Sequence, residues 1–383
     1  MFKKLFSKLS GKSDKKNIIM ITIDQLRTDR LDKFEIFKKL KSRGIYFDNV
    51  ITYAPYTIAS MTAYFTGMYG IQNGVDAYYA SPRFKKNEVH TLAQYFQDNG
   101  YYTCADYINE MMAPHQGFDK LLIHNEFKDK LIERHLGLLE EMKNGNRPYF
   151  LYLHFSTIHT MVVENIIHKF NDFDEGYFNP ANRNTNAERY EGYIKYAADY
   201  LEKIMDFIDS NNTLENSILI FQTDHGCSLG EKSGELAYGV YCYDYTVKLW
   251  SIMIGKNLFP EGKKISTQTR TIDVMPTLMD IANISQDPQF FPIQGSSLIP
   301  VINGIETAHR EAFIQTAPNH GPTQSPYKPN LKALRNGEWK LLYNDTTEKK
   351  ELYNILKDPE ENNNLAGMGM EIENELWAKL SRI

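Results

Sequence analysis

The segment NIIMITID, residues 17–24, constrains this chain more than any other. A nearly continuous apolar run closed by an acid is the pattern of a strand buried on both faces, as in parallel sheets covered by helices. RPYFLYLHF (147–155), NSILIFQTDHG (216–226) and VKLWSIMIG repeat it. Helical segments alternate with these runs. TLAQYFQDNG predicts a helix ending near Asn99-Gly100, residues 189–209 place Ile194, Ala197, Leu201, Ile204, Met205 and Ile208 on one face, and TIDVMPTLMDIANI follows. The alternation predicts an α/β fold, a mostly parallel sheet with helices on both faces.

Beyond residue 305 the pattern shortens. EAFIQTA, LKALRNGEWKLLYN and KKELYNI read as short strands, with Asn336-Gly337 as a hairpin turn, and EIENELWAKL as a closing helix. The expected organisation is a basic tail at 1–16, a catalytic α/β domain at 17–305 and a small antiparallel sheet with a helix at 306–383. The polar stretch 164–188 reads as a surface excursion.

Composition narrows the function. A chain of 383 residues with 42% hydrophobic and 13% aromatic residues supports a large core and excludes general disorder. A net charge of -5 argues against a nucleic-acid partner. Cys104, Cys227 and Cys242 have neither metal-finger nor CxxC spacing, which fits a reducing compartment. MFKKLFSKLSGKSDKKN lacks the apolar core of a secretory signal, and no run is long enough for a membrane span; the expectation is a cytoplasmic protein. The tail with Phe2, Leu5, Phe6 and Leu9 among Lys3, Lys4, Lys8 and Lys12 reads first as a solvated, frayed segment; the competing reading is a cationic amphipathic helix in weak contact with the inner membrane surface.

Two of the buried strands end in chemistry: Asp24 with Gln25, and Asp224 with His225. Ligands of open α/β sheets bind beyond the carboxyl ends of the strands, so both pairs are expected at one crevice. Two carboxylates, an amide oxygen and an imidazole make a donor set for one divalent cation. Each pair alone reads as a turn or helix cap; the two together, with Gly226 allowing a close turn, read as a metal site. Thr57 heads the helix in PYTIASMTAYFTG. A helix N-terminus favours an alkoxide or an arriving anion, and a cation beside it would activate the hydroxyl. The competing reading is an ordinary threonine cap.

These motifs together resemble the sulfatase family of the alkaline phosphatase superfamily. NIIMITIDQLRTDRL is similar to its first metal motif, TIASMTAYFTGMYGIQNGV to its nucleophile helix, and the stretch ending ILIFQTDHG to its second metal motif; the likeness runs in order from about residue 17 to 366. It implies Asp24, Gln25, Asp224, His225 and Thr57 as ligands of one divalent ion, Thr57 as nucleophile and His159 as a substrate-facing residue. The Asp-Gln and Asp-His pairs are especially similar to those of the phosphonate monoester hydrolases, which implies manganese; calcium, magnesium or zinc fit the same donors.

The departures are specific. Thr57, Ala59 and Met61 stand where the family has the Cys, Pro and Arg of CxPxR, and threonine cannot become formylglycine. Asn109 and Glu110 fall in the region of a sulfate-binding Lys and His, and Lys232 replaces a histidine. The resulting expectation is a metal-dependent hydrolase cleaving a phosphodiester, phosphonate or phosphate ester through a covalent Thr57 intermediate, with Lys232 or His159 assisting the leaving group. The alternatives are a sulfatase, a phospho-group transferase, or an inactive binding protein of the same fold. The substrate would be a small-molecule, glycan-linked or lipid-linked ester, selected by loops such as 164–188 and 317–330, the latter carrying His320.

Overall fold

The computed structural model describes residues 15–167 and 179–383. The amphipathic reading of Phe2 to Lys12 and part of the 164–188 stretch lie outside these residues.

The apolar runs form the central strands. In chain order these are β1 (Asn17–Ile23), β2 (Ile45–Ile51), β3 (Tyr102–Tyr107), β4 (Lys120–Ile123), β5 (Tyr149–Phe155), β6 (Ser217–Gln222), β7 (Lys248–Gly255), β8 (Lys263–Ile265) and β9 (Thr269–Arg270). They make one sheet in the order β4-β3-β5-β1-β6-β7-β2-β8, with β9 beside β2. Only the β6–β7 and β7–β2 pairings are antiparallel. Every residue of β5 and β6 is buried, as strands covered on both faces require.

Core packing divides between the two faces. Ile19, Ile21 and Leu153 meet the long helix Arg183–Ser210 through Ile194, Leu201 and Ile204. That helix begins earlier than the apolar periodicity predicts, taking residues 183–188 from the expected surface excursion. On the opposite face, Met20, Phe150 and Ile220 pack with Met61, Tyr64 and Phe65 of the helix Thr57–Thr66.

Strands β10 (Ala312–Thr316), β11 (Leu331–Arg335), β12 (Trp339–Asn344) and β13 (Lys349–Asn354) form a separate antiparallel meander. The β11–β12 turn holds Gly337 at φ +91°, and Asn336 N–H donates to the Trp339 carbonyl. Phe313, Leu334, Leu341 and Leu352 of this meander pack on Ile58, Ala59 and Ala63. The helix Thr57–Thr66 is thus enclosed on all sides, and its residues Ile58 to Thr66 are all buried. Among the described residues no helix is long and apolar enough to cross a membrane, and the three cysteines are free and buried.

Candidate active site

Register brings the two acidic strand ends together. β1 and β6 are parallel neighbours with Thr22 opposite Gln222, so two residues further on Asp24 faces Asp224. Each carboxylate has one oxygen held by protein and one left open. Asp224 Oδ1 accepts from the backbone N–H groups of Gln25 (3.3 Å) and His225 (2.9 Å), while Asp24 Oδ2 lies 3.2 Å from His154 Nε2. Asp24 Oδ1, Asp224 Oδ2 and both polar atoms of the Gln25 side chain are buried without a hydrogen-bond partner. Unpartnered buried polar atoms cost about 1–3 kcal/mol each, so several of them on neighbouring side chains mark a ligand's position.

The remaining donors converge on the open oxygens. His225 Nδ1 donates to the Gly226 carbonyl (2.9 Å); a carbonyl only accepts, so in the neutral ring Nε2 carries the lone pair. That Nε2 lies 3.5 Å from Asp24 Oδ1, 3.7 Å from Asp224 Oδ2 and 3.2 Å from Thr57 Oγ1. Atoms about 2.1 Å from one ion sit roughly 3.0–3.5 Å apart at right or tetrahedral angles, which these separations approach. Gly226 makes the turn possible, since a Cβ there would meet the Tyr245 carbonyl at 2.1 Å.

Local backbone supports the same centre. Gln25 is held at φ +62°, a left-handed conformation costing a non-glycine residue about 1–2 kcal/mol. Its carbonyl accepts from Tyr190 Oη at 2.5 Å, and the next N–H, of Leu26, donates to Thr223 Oγ1. Thr57 does not cap its helix: the cap residue is Tyr56, without a side-chain cap bond, and the Thr57 hydroxyl is turned to His225 instead. Thr57 is partly exposed, whereas Asp24, Gln25, Asp224 and His225 are buried.

Charge is uneven between the acids. Burial and the neighbouring Asp24 charge push the Asp224 carboxyl up. Burial acts on Asp24 in the same sense, but the His154 hydrogen bond, the charge of His159 and the neighbouring His154 and His225 rings outweigh it and hold that carboxyl low. A divalent ion would hold both as carboxylates, and the donors fit one.

His159, on the helix Thr157–Val162 after β5, faces this centre. Its Nδ1 lies 2.8 Å from Glu126 Oε2 and its Nε2 3.1 Å from Tyr238 Oη. Burial disfavours the imidazolium, yet the Glu126 hydrogen bond and the Asp24, Glu126 and Asp224 charges hold its pKa at about 9.

Lys232 is a correction. Its ammonium donates to the Glu361 carbonyl and to Asn362 Oδ1 (2.9 Å) and lies over the Tyr243 ring. These contacts tie the loop after His225 to the C-terminal region, and none is with Thr57, Asp24 or Asp224. His320 Nε2 donates to the Leu236 carbonyl, which braces the segment carrying Tyr238.

His154 went unread in the sequence because it sits inside an apolar strand. Its one signal is an imidazole in a run otherwise made only of apolar and aromatic side chains. A second cluster, Asp106 with His124 and His135, has ligand types in reach of one another. There Arg134 already contacts both Asp106 oxygens (2.6 and 3.2 Å), which neutralises the carboxylate.

Sheet order, the separate antiparallel meander and a candidate cation site with a hydroxyl at a helix start are those of an alkaline-phosphatase-like hydrolase fold. The Sulfatase family model matches residues 16–284, and a model of the N-sulphoglucosamine sulphohydrolase C-terminal region matches 240–383. The chain belongs to the sulfatase family. It is 29% identical over 177 residues to the choline-sulfatase of Rhizobium meliloti (strain 1021), a match covering 46% of this chain and 32% of that protein. The match thus spans about a third of that relative's length. Among solved structures it resembles one in complex with its substrate D-glucosamine-2-N,6-O-disulfate (TM-score 0.75, 17% identity, 96% of this chain and 97% of that one). It also resembles the phosphonate monoester hydrolase of Agrobacterium radiobacter (TM-score 0.73, 15% identity, 96% and 95%).

Proposed function

We propose that this chain hydrolyses a sulfuric ester by way of a covalent Thr57 intermediate. The Thr57 hydroxyl 3.2 Å from His225 Nε2, which itself lies 3.5 and 3.7 Å from the open oxygens of Asp24 and Asp224, carries the reading; the family and the sulfate esters named for relatives favour sulfur over the phosphorus centre expected from the motif departures. Asp24, Gln25, Asp224, His225 and Thr57 would hold the divalent cation, manganese on the Asp-Gln pattern. When bound, that ion lowers the pKa of the Thr57 hydroxyl and offsets charge on the transferred group.

Thr57 Oγ1, its proton already lost to solvent, attacks sulfur in line, and the bond from sulfur to the ester oxygen breaks. The departing oxygen takes the electron pair and a proton from His159 Nε2. Unpaired N–H groups at the start of the helix Thr57–Thr66 face the sulfuryl oxygens. Water then gives a proton to His159 Nε2 and attacks sulfur, the bond from sulfur to Thr57 Oγ1 breaks with its electron pair staying on Oγ1, and hydrogen sulfate departs.

One observation keeps phosphoric or phosphonate esters as a second reading: the nucleophile is an unmodifiable threonine. A manganese-supplemented comparison of aryl sulfate, phosphodiester, phosphomonoester and phosphonate ester tests both. Aryl sulfate is expected to give the highest kcat/KM, with Thr57→Ala losing roughly 10³-fold or more. A phosphorus ester turned over faster selects the second reading; a Thr57→Ala variant equal to wild type ends both.

A further inference from the structure

Glu126 lies outside every motif above, on the turn between β4 and the helix Leu131–Lys143, yet it touches His159, an imidazole beside the candidate cation site and not part of it. Its Oε2 accepts from two consecutive residues, His159 Nδ1 at 2.8 Å and Thr160 Oγ1 at 2.9 Å. The turn is itself fixed. Asn125 Oδ1 accepts from Phe127 N–H, Asn125 N–H donates to Asp129 Oδ2, and His124 Nε2 meets Ser156 Oγ at 3.1 Å. The loop therefore grips the helix Thr157–Val162 at both Ser156 and Thr160.

We infer that Glu126 is the positioning residue that makes His159 a proton donor through Nε2. The inference rests on the proposed ester hydrolysis at Thr57. A carboxylate accepting at Nδ1 keeps a proton on that nitrogen, so the transferable proton is the one on Nε2, which in the structure meets Tyr238 Oη at 3.1 Å and which an arriving ester oxygen would share. Among the described residues, the charged or titratable groups that bear on His159 are Glu126, Asp24, Asp224 and the neutral phenol of Tyr238. A bound cation offsets the charges of Asp24 and Asp224, which leaves Glu126 as the anion that stabilises the imidazolium. In the reaction the electron pair of the breaking sulfur–oxygen bond goes to the leaving oxygen, which receives the Nε2 proton; Glu126 accepts none and keeps Nδ1–H.

The test is leaving-group dependence in Glu126→Gln, which keeps an acceptor and removes the charge. A 4-nitrophenyl ester departs without protonation and an alkyl ester does not. The variant is expected to change kcat by less than about threefold for the nitrophenyl ester and to lower it roughly 10²-fold for the alkyl ester. The basic limb of the alkyl profile should fall by about one to two pH units. Thr160→Ala, which leaves the Glu126 to His159 contact in place, should retain the wild-type ratio of the two substrates. Equal losses on both esters with an unmoved pH profile would overturn the inference. If wild type turns over neither ester, the hydrolase reading fails instead; NMR titration of the His159 imidazole in the manganese-loaded protein then still decides, with an unchanged pKa in Glu126→Gln refuting the role.

Discussion

Ser60 Oγ donates to the main-chain carbonyl of Asp224 at 2.8 Å, one helical turn from Thr57 on the same helix. Tyr64, a further turn on, donates to the carbonyl of Thr223 at 3.0 Å. One helix therefore presents the hydroxyl and also fixes the backbone carrying Asp224 and His225, so the two halves of the candidate site share a rigid part. Ser60→Ala leaves that buried carbonyl without its donor. The expected loss is about 1–3 kcal/mol in denaturant unfolding and roughly 10–100-fold in manganese affinity by calorimetry. Unaltered affinity would separate the helix from the metal motif.

The two acids predict a change of sign with the metal. Without a cation, Asp24 and Asp224 repel, and Asp224 bears the burial cost. Asp224→Asn keeps an oxygen for the Gln25 and His225 N–H groups and removes the charge. In chelator the variant should melt no lower than wild type. Manganese at about 100 times its Kd should stabilise wild type by roughly 2.7 kcal/mol, with little effect on the variant. Thermal unfolding with and without the ion checks both signs, and equal stabilisation of the two proteins would place the cation elsewhere.

The strand ends and the helix that Thr57 opens are legible because burial on two faces leaves a local signature: Asp24 and Asp224 close apolar runs, and Thr57 opens a run with Pro55 before it. What the sequence concealed was long-range. The register that sets Thr22 beside Gln222 is a property of the sheet, and it alone makes partners of residues 200 positions apart. His154 reads as part of an apolar strand until its neighbour is known. Lys232 misled for the same reason: its position beside the second motif is local, whereas the Glu361 and Asn362 groups that bind it are 129 and 130 positions away.

His159 sets a pH window for stability. Its folded pKa is raised to about 9, burial being outweighed by Glu126 and the site carboxylates. The imidazolium is favoured in the folded state, so its contribution is complete below the unfolded value of about 6.5 and is lost as pH rises through 9. In chelator, the stability gap between wild type and His159→Gln should shrink by up to about 3 kcal/mol from pH 6 to pH 9.5. Manganese, by offsetting Asp24 and Asp224, should narrow that difference. Denaturant unfolding at the two pH values checks this, and a gap that does not depend on pH would mean His159 is not charged in the fold.

Lys340 predicts how the C-terminal sheet reaches the site. Its fully buried ammonium lies 3.0 Å from Asp244 Oδ1 and 2.9 Å from Glu361 Oε1, while Arg335 holds Asp244 Oδ2 at 3.0 Å. Asp244 opens the turn whose Thr246 carbonyl accepts from Gly226 N–H at 2.8 Å, directly after His225. Lys340→Met leaves two buried acids with one cation, a loss of about 3–5 kcal/mol. Glu361, whose pKa burial and Asp244 already push to about 7, should then take up a proton. Adding Glu361→Gln should recover much of the stability, and a double-mutant cycle by urea unfolding measures the coupling. Because the turn bears on Gly226, manganese affinity should fall in Lys340→Met and return with the second substitution. If stability returns while affinity does not, the meander supports the fold without positioning the second metal motif.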